Sequence, residues 1–230
     1  MDYIIDGFKE ALDIIFSLEK EFLNIVATSI KVSFASTLLA SIFGIPFGIW
    51  VGAGKFKGRR WITTILNTLM ALPTVVIGLL FYSFLSRRGP LGGMGLLFTP
   101  AAMIAGQFVL AFPIIAAFVA SGVRSLGDGS FVAARILGAG RFRTAILFLR
   151  EAEWVVLTSV LAGFGRVFSE VGISMMLGGN IRFFTRNMTT AIALETSRGA
   201  LSLGIALGLV LMIIAFFVNI TVYSFKTRNA

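Results

Sequence analysis

An all-α integral membrane protein is the fold class this chain predicts, on three observations. Apolar residues make up 57% of it, with 23 Phe and a mean hydropathy of +0.93, far from the averages of soluble domains. Uncharged stretches reach or exceed the roughly 20 residues a helix needs to cross a bilayer. The basic residues of this chain, whose net charge is +9, sit at the ends of those stretches, as membrane topology requires, rather than along one stripe. That placement argues against nucleic acid as a partner, which a positive balance by itself would allow. The chain has no Cys and no His, which excludes disulfides, thiolate nucleophiles, zinc sites and His-based acid–base chemistry.

Residues 1–21 predict an external amphipathic helix. Ile4, Ile5, Phe8, Leu12 and Ile15 form a stripe against Asp2, Asp6, Lys9, Glu10 and Asp13, and the segment is too charged to span. Its acidic start differs from a secretory signal peptide, which begins positively charged. The membrane domain then occupies residues 22–225, with five spans at about 22–53, 61–86, 99–122, 153–177 and 200–225. Gly44, Pro46 and Gly48 predict a kink in the first span, which neighbouring helices can accommodate. Lys55, Lys57, Arg59 and Arg60 make the following loop strongly basic. Pro73 falls inside the second span and Pro113 inside the third, with a Gly- and Pro-rich turn at residues 87–93 between them. The fourth contains two ionisable residues, Arg166 and Glu170, and ends at Gly178-Gly179-Asn180. The fifth is uncharged until Lys226.

Five spans put the termini on opposite sides. If the loop around Lys55, residues 124–151 and the C-terminus share a side, that side is richer in Lys and Arg, and the N-terminal tail adds carboxylates to the other. The positive-inside rule then makes residues 124–151 cytoplasmic and the N-terminus external.

This central segment is a polar interruption between two apolar runs. Phe131, Ala134, Gly138, Phe142, Ala145 and Leu149 recur at helical spacing, and Ser130 can cap the start. Gly138 and Gly140 imply a turn between two short helices or a close approach to another surface, since mid-helix glycine costs about 1 kcal/mol relative to alanine. On residue physics, packing on its own bundle and docking in a partner's groove remain equal readings.

Val132-Ala133-Ala134-Arg135-Ile136-Leu137-Gly138-Ala139 resembles the EAA loop of ABC-transporter permeases, matching it at Ala133, Ala134 and Gly138. Val132 stands where that pattern has Glu, and Arg150-Glu151 where it has Leu-Pro. Phe164-Gly165-Arg166-Val167-Phe168-Ser169-Glu170-Val171-Gly172, followed by Gly178-Gly179-Asn180-Ile181, resembles a stretch of molybdate, sulfate and tungstate permeases. Leu72-Pro73, Arg88-Gly89-Pro90-Leu91-Gly92 and Ala111-Phe112-Pro113 follow the order of that family, and the resemblance covers roughly residues 30–203. The stretch from Thr189-Thr190-Ala191 to Ser197-Arg198-Gly199 is most similar to Tup-type tungstate permeases.

The resemblance implies the permease subunit of an importer for a tetrahedral oxyanion, most nearly tungstate, with molybdate or sulfate as alternatives. It implies a homodimer in the cytoplasmic (inner) membrane of a prokaryote, a cytoplasmic ATPase dimer that binds ATP and Mg2+, and an external oxyanion-binding protein. The chain carries no Gly-x-x-x-x-Gly-Lys-Ser/Thr phosphate cradle, so the expected role is transport without an ATPase site or cofactor of its own. The EAA-like segment becomes a coupling helix, with Phe131, Ala133, Ala134, Leu137, Gly138 and Ala139 as its contacts to the ATPase. An ATPase-independent secondary transporter or channel is the competing class; it is disfavoured by the five spans and the lack of an evident inverted repeat.

For the pathway or gate the candidates are Arg166, Glu170, Gly178, Gly179 and Asn180. Arg166 lies about 13 residues, roughly 20 Å of helix, beyond Glu153, and in a continuous helix Glu170 follows one turn later on the same face. Two readings compete: Arg166 offers paired donors to a dianion in transit, or the two charges lock the bundle by neutralising one another. The lock is preferred, because a neutralised pair attracts a dianion poorly. Gly178, Gly179 and Asn180 read equally as a flexible constriction and as a helix C-cap. Arg182 and Arg186 read as external positive potential that draws an anion inward, or as contacts for a partner's acidic residues.

Overall fold

Uncharged apolar runs become helices because a bilayer offers the backbone no hydrogen-bond partner, so each segment must satisfy its own. The structure, a computed structural model, describes residues 2–126 and 151–228. Among the described residues the regular structure is helical: α1 (Asp2–Ser17), α2 (Lys20–Ala53), α3 (Arg59–Met70), α4 (Thr74–Leu85), a 3-10 turn (Gly92–Met94), α5 (Pro100–Ser125), α6 (Glu153–Phe168), α7 (Gly172–Gly178), α8 (Met188–Ser197) and α9 (Leu201–Arg228). The coupling residues expected at Phe131, Ala133, Ala134, Leu137, Gly138 and Ala139 lie outside the described residues.

Three helices are long and apolar enough to cross a membrane, Lys20–Ala53, Pro100–Ser125 and Leu201–Ile220, and up to five spans result if each of two bent pairs counts as one. The second and fourth expected spans are those pairs: α3 and α4 meet at 94°, α6 and α7 at 61°. At the first break Pro73 lacks an N–H and holds an extended backbone, φ −62° and ψ 125°, which pushes the preceding residue out of the helix. Proline alone does not break a helix here, since Pro46 and Pro113 lie inside α2 and α5.

Two compact units divide the chain, one within Met1–Ser36, Pro73–Gln107 and Val167–Thr221, the other within Thr37–Leu72, Phe108–Arg166 and Val222–Ala230. In the second, α2 presents Gly44, Gly48 and Gly52 to α5. A Cβ on Gly48 would lie 2.7 Å from the Ala116 carbonyl oxygen, and one on Gly52 would lie 2.8 Å from that of Ala120. Small residues every four positions let two helix backbones approach closely, and in a membrane such packing replaces the missing hydrophobic driving force. Ile115, Ala116 and Val119 are fully buried there, and Phe47 packs on Phe112 with ring centroids 5.5 Å apart. Arg59 closes the end of α2, its guanidinium donating to the carbonyls of Gly54 at 3.1 Å and Gly52 at 2.7 Å.

In the first unit, α4 packs on α7, with Ile25, Met103, Ile173, Leu177 and Met188 fully buried. Gln107, itself 0% exposed, accepts from Ser36 Oγ at 3.0 Å and donates to Ser174 Oγ at 3.2 Å, so one amide ties α2, α5 and α7 together. Among the described side chains of α1 the buried positions are Gly7 and Ala11, whereas Phe8 and Leu12 of the expected stripe are about half exposed. Gly7 faces Ile205 of α9, and Glu10 accepts from Ser202. From Asp6 onward, burial along α1 thus follows its small-residue edge, where α9 can come close.

Candidate functional site around α7

α7 is a seven-residue helix held at both ends by polar groups. Before it, the helix that carries Arg166 stops at Phe168. Glu170 is 3% exposed, and its Oε1 accepts the Ile173 N–H at 3.2 Å. A carboxylate that takes an otherwise orphaned amide at a helix start serves as a cap and favours the positive end of the helix dipole. The continuous face expected for Arg166 and Glu170 is therefore interrupted: Arg166 is half-buried in the last turn of α6, and Glu170 lies in the break just before α7.

Gly178 ends α7 and Gly179 follows in the left-handed region at φ 67°, its N–H donating to the Met175 carbonyl at 3.0 Å. A Cβ at Gly179 would lie 2.7 Å from Phe98 Cδ1, and one at Gly178 would lie 2.6 Å from Met103 Sδ. Glycine is required at position 179 on both counts, backbone sign and space. Asn180 also has positive φ, 51°, a conformation asparagine tolerates better than most residues. Its Oδ1 accepts from Thr190 Oγ1 at 3.0 Å, and its Nδ2 donates to the Thr190 carbonyl at 3.4 Å.

Thr190 also belongs to the start of α8. Asn187 accepts from the Thr190 N–H at 2.9 Å while Thr190 Oγ1 accepts the Asn187 N–H at 3.1 Å, a reciprocal capping box. Thr189 Oγ1 donates to the Glu170 carbonyl at 2.8 Å, and Thr185 Oγ1 donates to the Gly178 carbonyl. The α8 cap is thereby bonded to both ends of α7. Glu170, Gly178, Gly179 and Asn180 come together in one unit around α7, while Arg166 belongs to the other. The sequence marks Thr189 and Thr190 only as part of the Tup-type stretch, and it does not mark Asn187. An Asn three residues before a side-chain donor, ahead of an apolar run, was the available signal.

Arg182 and Arg186 find an acidic partner within this chain. Both pair with Glu21, in the first turn of α2, Arg186 at 3.1 Å. Arg186 also lies 3.9 Å from Glu195, which takes Arg198 at 3.5 Å. The Glu21 hydrogen bond and charge hold the exposed Arg182 guanidinium above its ordinary pKa. Two carboxylates thus offset part of the positive charge of three arginines.

The sequence pattern of the family described as "Binding-protein-dependent transport system inner membrane component" matches residues 44–229. The chain is 39% identical to the tungstate uptake system permease protein TupB of Peptoclostridium acidaminophilum, over 98% of this chain and 99% of that protein. It is 40% identical to a probable anion ABC transporter permease protein of Haloferax volcanii, over 90% of this chain and 91% of the other. Among solved structures, the MetNI methionine ABC transporter in an inward-facing conformation contains a chain of similar fold. The TM-score is 0.72 at 18% identity, covering 91% of this chain and 96% of that one. With most of its length matched by the family pattern, the chain belongs to the binding-protein-dependent transport system inner membrane components, the membrane subunits of ABC transporters.

Proposed function

We propose that this chain is the permease subunit of an ABC importer that carries tungstate into the cytoplasm. The observation that carries this reading is the 39% identity to a tungstate uptake permease, sustained over nearly the whole length of both chains. Two copies form the pathway in the inner membrane, an external oxyanion-binding protein delivers the anion, and a cytoplasmic ATPase dimer binds ATP with Mg2+. Residues 124–151 dock on that ATPase through Phe131, Ala133, Ala134, Leu137, Gly138 and Ala139. The excess of Lys and Arg on the side of this segment and the C-terminus supports a cytoplasmic placement, with the N-terminus and its amphipathic helix outside.

In this reading α7 and its flanking residues Glu170, Gly178, Gly179 and Asn180 form a gate element beside the pathway. The hydrogen bonds at both of its ends support movement as a rigid piece rather than by flexing of the glycines. Arg166, at the end of α6, locks the bundle with Glu170 in the preferred reading and faces the pathway in the other, because an ionisable residue in a membrane helix faces protein interior or water.

Uptake of radiolabelled tungstate tests the function, in cells that lack their own tungstate importer and express this chain with its ATPase and binding protein. Uptake that depends on ATP and resists excess sulfate is expected, and Gly138→Trp should abolish both uptake and co-purification of the ATPase. ATP-independent uptake would point instead to a secondary transporter, and uptake displaced equally by sulfate would refute the tungstate assignment.

A further inference from the structure

The first turns of α3 and the last turn of α5 border an open cavity of about 310 Å³ lined by Arg59, Arg60, Thr63, Thr64 and Arg124. Among the described residues no carboxylate lines it. Its donors divide unequally. Two of Arg59's N–H groups point to the Gly54 and Gly52 carbonyls, which neutralises part of the charge at the end of α2. The hydroxyl of Thr63 donates to the Arg59 carbonyl at 3.1 Å, and that of Thr64 donates to the Arg60 carbonyl at 2.9 Å. The guanidiniums of Arg60 and Arg124 have no ion-pair or hydrogen-bond partner among the described residues. Three like charges around one recess repel one another unless an anion fills it, and forked guanidinium donors match the oxygens of a phosphate-type group.

The surroundings indicate where that anion comes from. Trp61 is 74% exposed and Ile65 55% exposed, one turn apart on α3 and each adjacent in sequence to a cavity-lining residue. Tryptophan next to arginine at a helix end is the pattern of a membrane–water interface, where the ring sits at headgroup level. An occupant with a phosphate for the cavity and acyl chains for Trp61 and Ile65 satisfies both halves of the site, and basic recesses between membrane helices take anionic headgroups for this reason.

We propose that the Arg59–Arg60–Arg124 cavity binds a tetrahedral phosphate-type oxyanion, supplied by the headgroup of an anionic phospholipid. The proposal goes beyond the transport reading and does not depend on it, because binding is measured on the purified full-length chain without uptake.

The chain is placed in phosphatidylcholine nanodiscs, and its retained lipids and thermal unfolding are followed while dioleoyl-phosphatidylglycerol is titrated in. Inorganic phosphate and tungstate are titrated separately in the absence of anionic lipid. Phosphatidylglycerol should be retained and raise the unfolding temperature. Arg60→Gln and Arg124→Gln should each weaken that retention about tenfold or more, the scale of one lost charge-assisted hydrogen bond. Lys57→Gln, which keeps the cavity intact, should change it little. Arg60→Lys keeps the charge and loses the fork, so it should fall between the native chain and Arg60→Gln, and it serves if the glutamine variants fold poorly. Stabilisation by free phosphate or tungstate with the same arginine dependence, and none by phosphatidylglycerol, would keep the oxyanion chemistry and overturn the lipid source. Equal loss in Lys57→Gln would mean diffuse charge attraction and overturn the site. No response to any of the three probes would overturn the proposal altogether.

Discussion

Replacing Gly48 by alanine tests how closely α2 and α5 approach one another. The added methyl carbon falls 2.7 Å from the Ala116 carbonyl oxygen and 2.8 Å from Val119 Cβ, both inside the 3.4 Å at which ordinary contact begins. Neither atom is the far end of a flexible side chain, so the helices must shift. Overpacking of this kind costs about 1–3 kcal/mol. Alanine also improves helix propensity by about 1 kcal/mol, which masks part of that cost. The comparison that removes the propensity term is Gly208→Ala in α9, where nothing lies within 4 Å of the added carbon. The two variants should therefore differ by about 1–3 kcal/mol, Gly48→Ala being the less stable. Reversible unfolding of the purified chain in mixed detergent micelles measures both. If Gly48→Ala is as stable as Gly208→Ala, the close approach of the two helices is wrong.

Two further substitutions separate structural from transport roles. Gln107→Leu leaves Ser36 and Ser174 without the amide that joins them; unfolding in micelles should show a loss of about 1 kcal/mol, within the range for hydrogen bonds between membrane helices, and Ser36→Ala should add little on top of it. Glu170→Gln keeps an acceptor for the Ile173 N–H while removing the charge. If capping is its role, tungstate uptake survives this change and falls with Glu170→Ala; uptake lost equally in both variants would instead make the charge part of the pathway.

Much of the helix inventory was legible because hydropathy is a property of composition: an uncharged apolar run of sufficient length has to be helical in a bilayer, whichever helices surround it. The break at Pro73 was equally local, since the ring removes a donor and restricts the residue before it. The break after Phe168 had no such mark. It exists because Glu170 turns its carboxylate onto the Ile173 amide and the α8 cap holds the Glu170 carbonyl, and both contacts depend on the folded path of the chain.

The sequence by itself determined that this chain is a helical membrane protein, where its apolar segments begin and end, and, through the resemblance its motifs carry, the family to which it belongs. Tertiary structure decided which partner each polar group takes. Arg182 and Arg186 read as charges turned outward until folding brings Glu21, far away in the chain, against them. Gly44, Gly48 and Gly52 mark one face of a helix from their spacing alone, but only the packing shows that the backbone of α5 lies against that face. The reason is one of range: burial of an apolar segment is set by its own residues, whereas a hydrogen bond, an ion pair or a close helix contact needs two segments whose meeting no local pattern records.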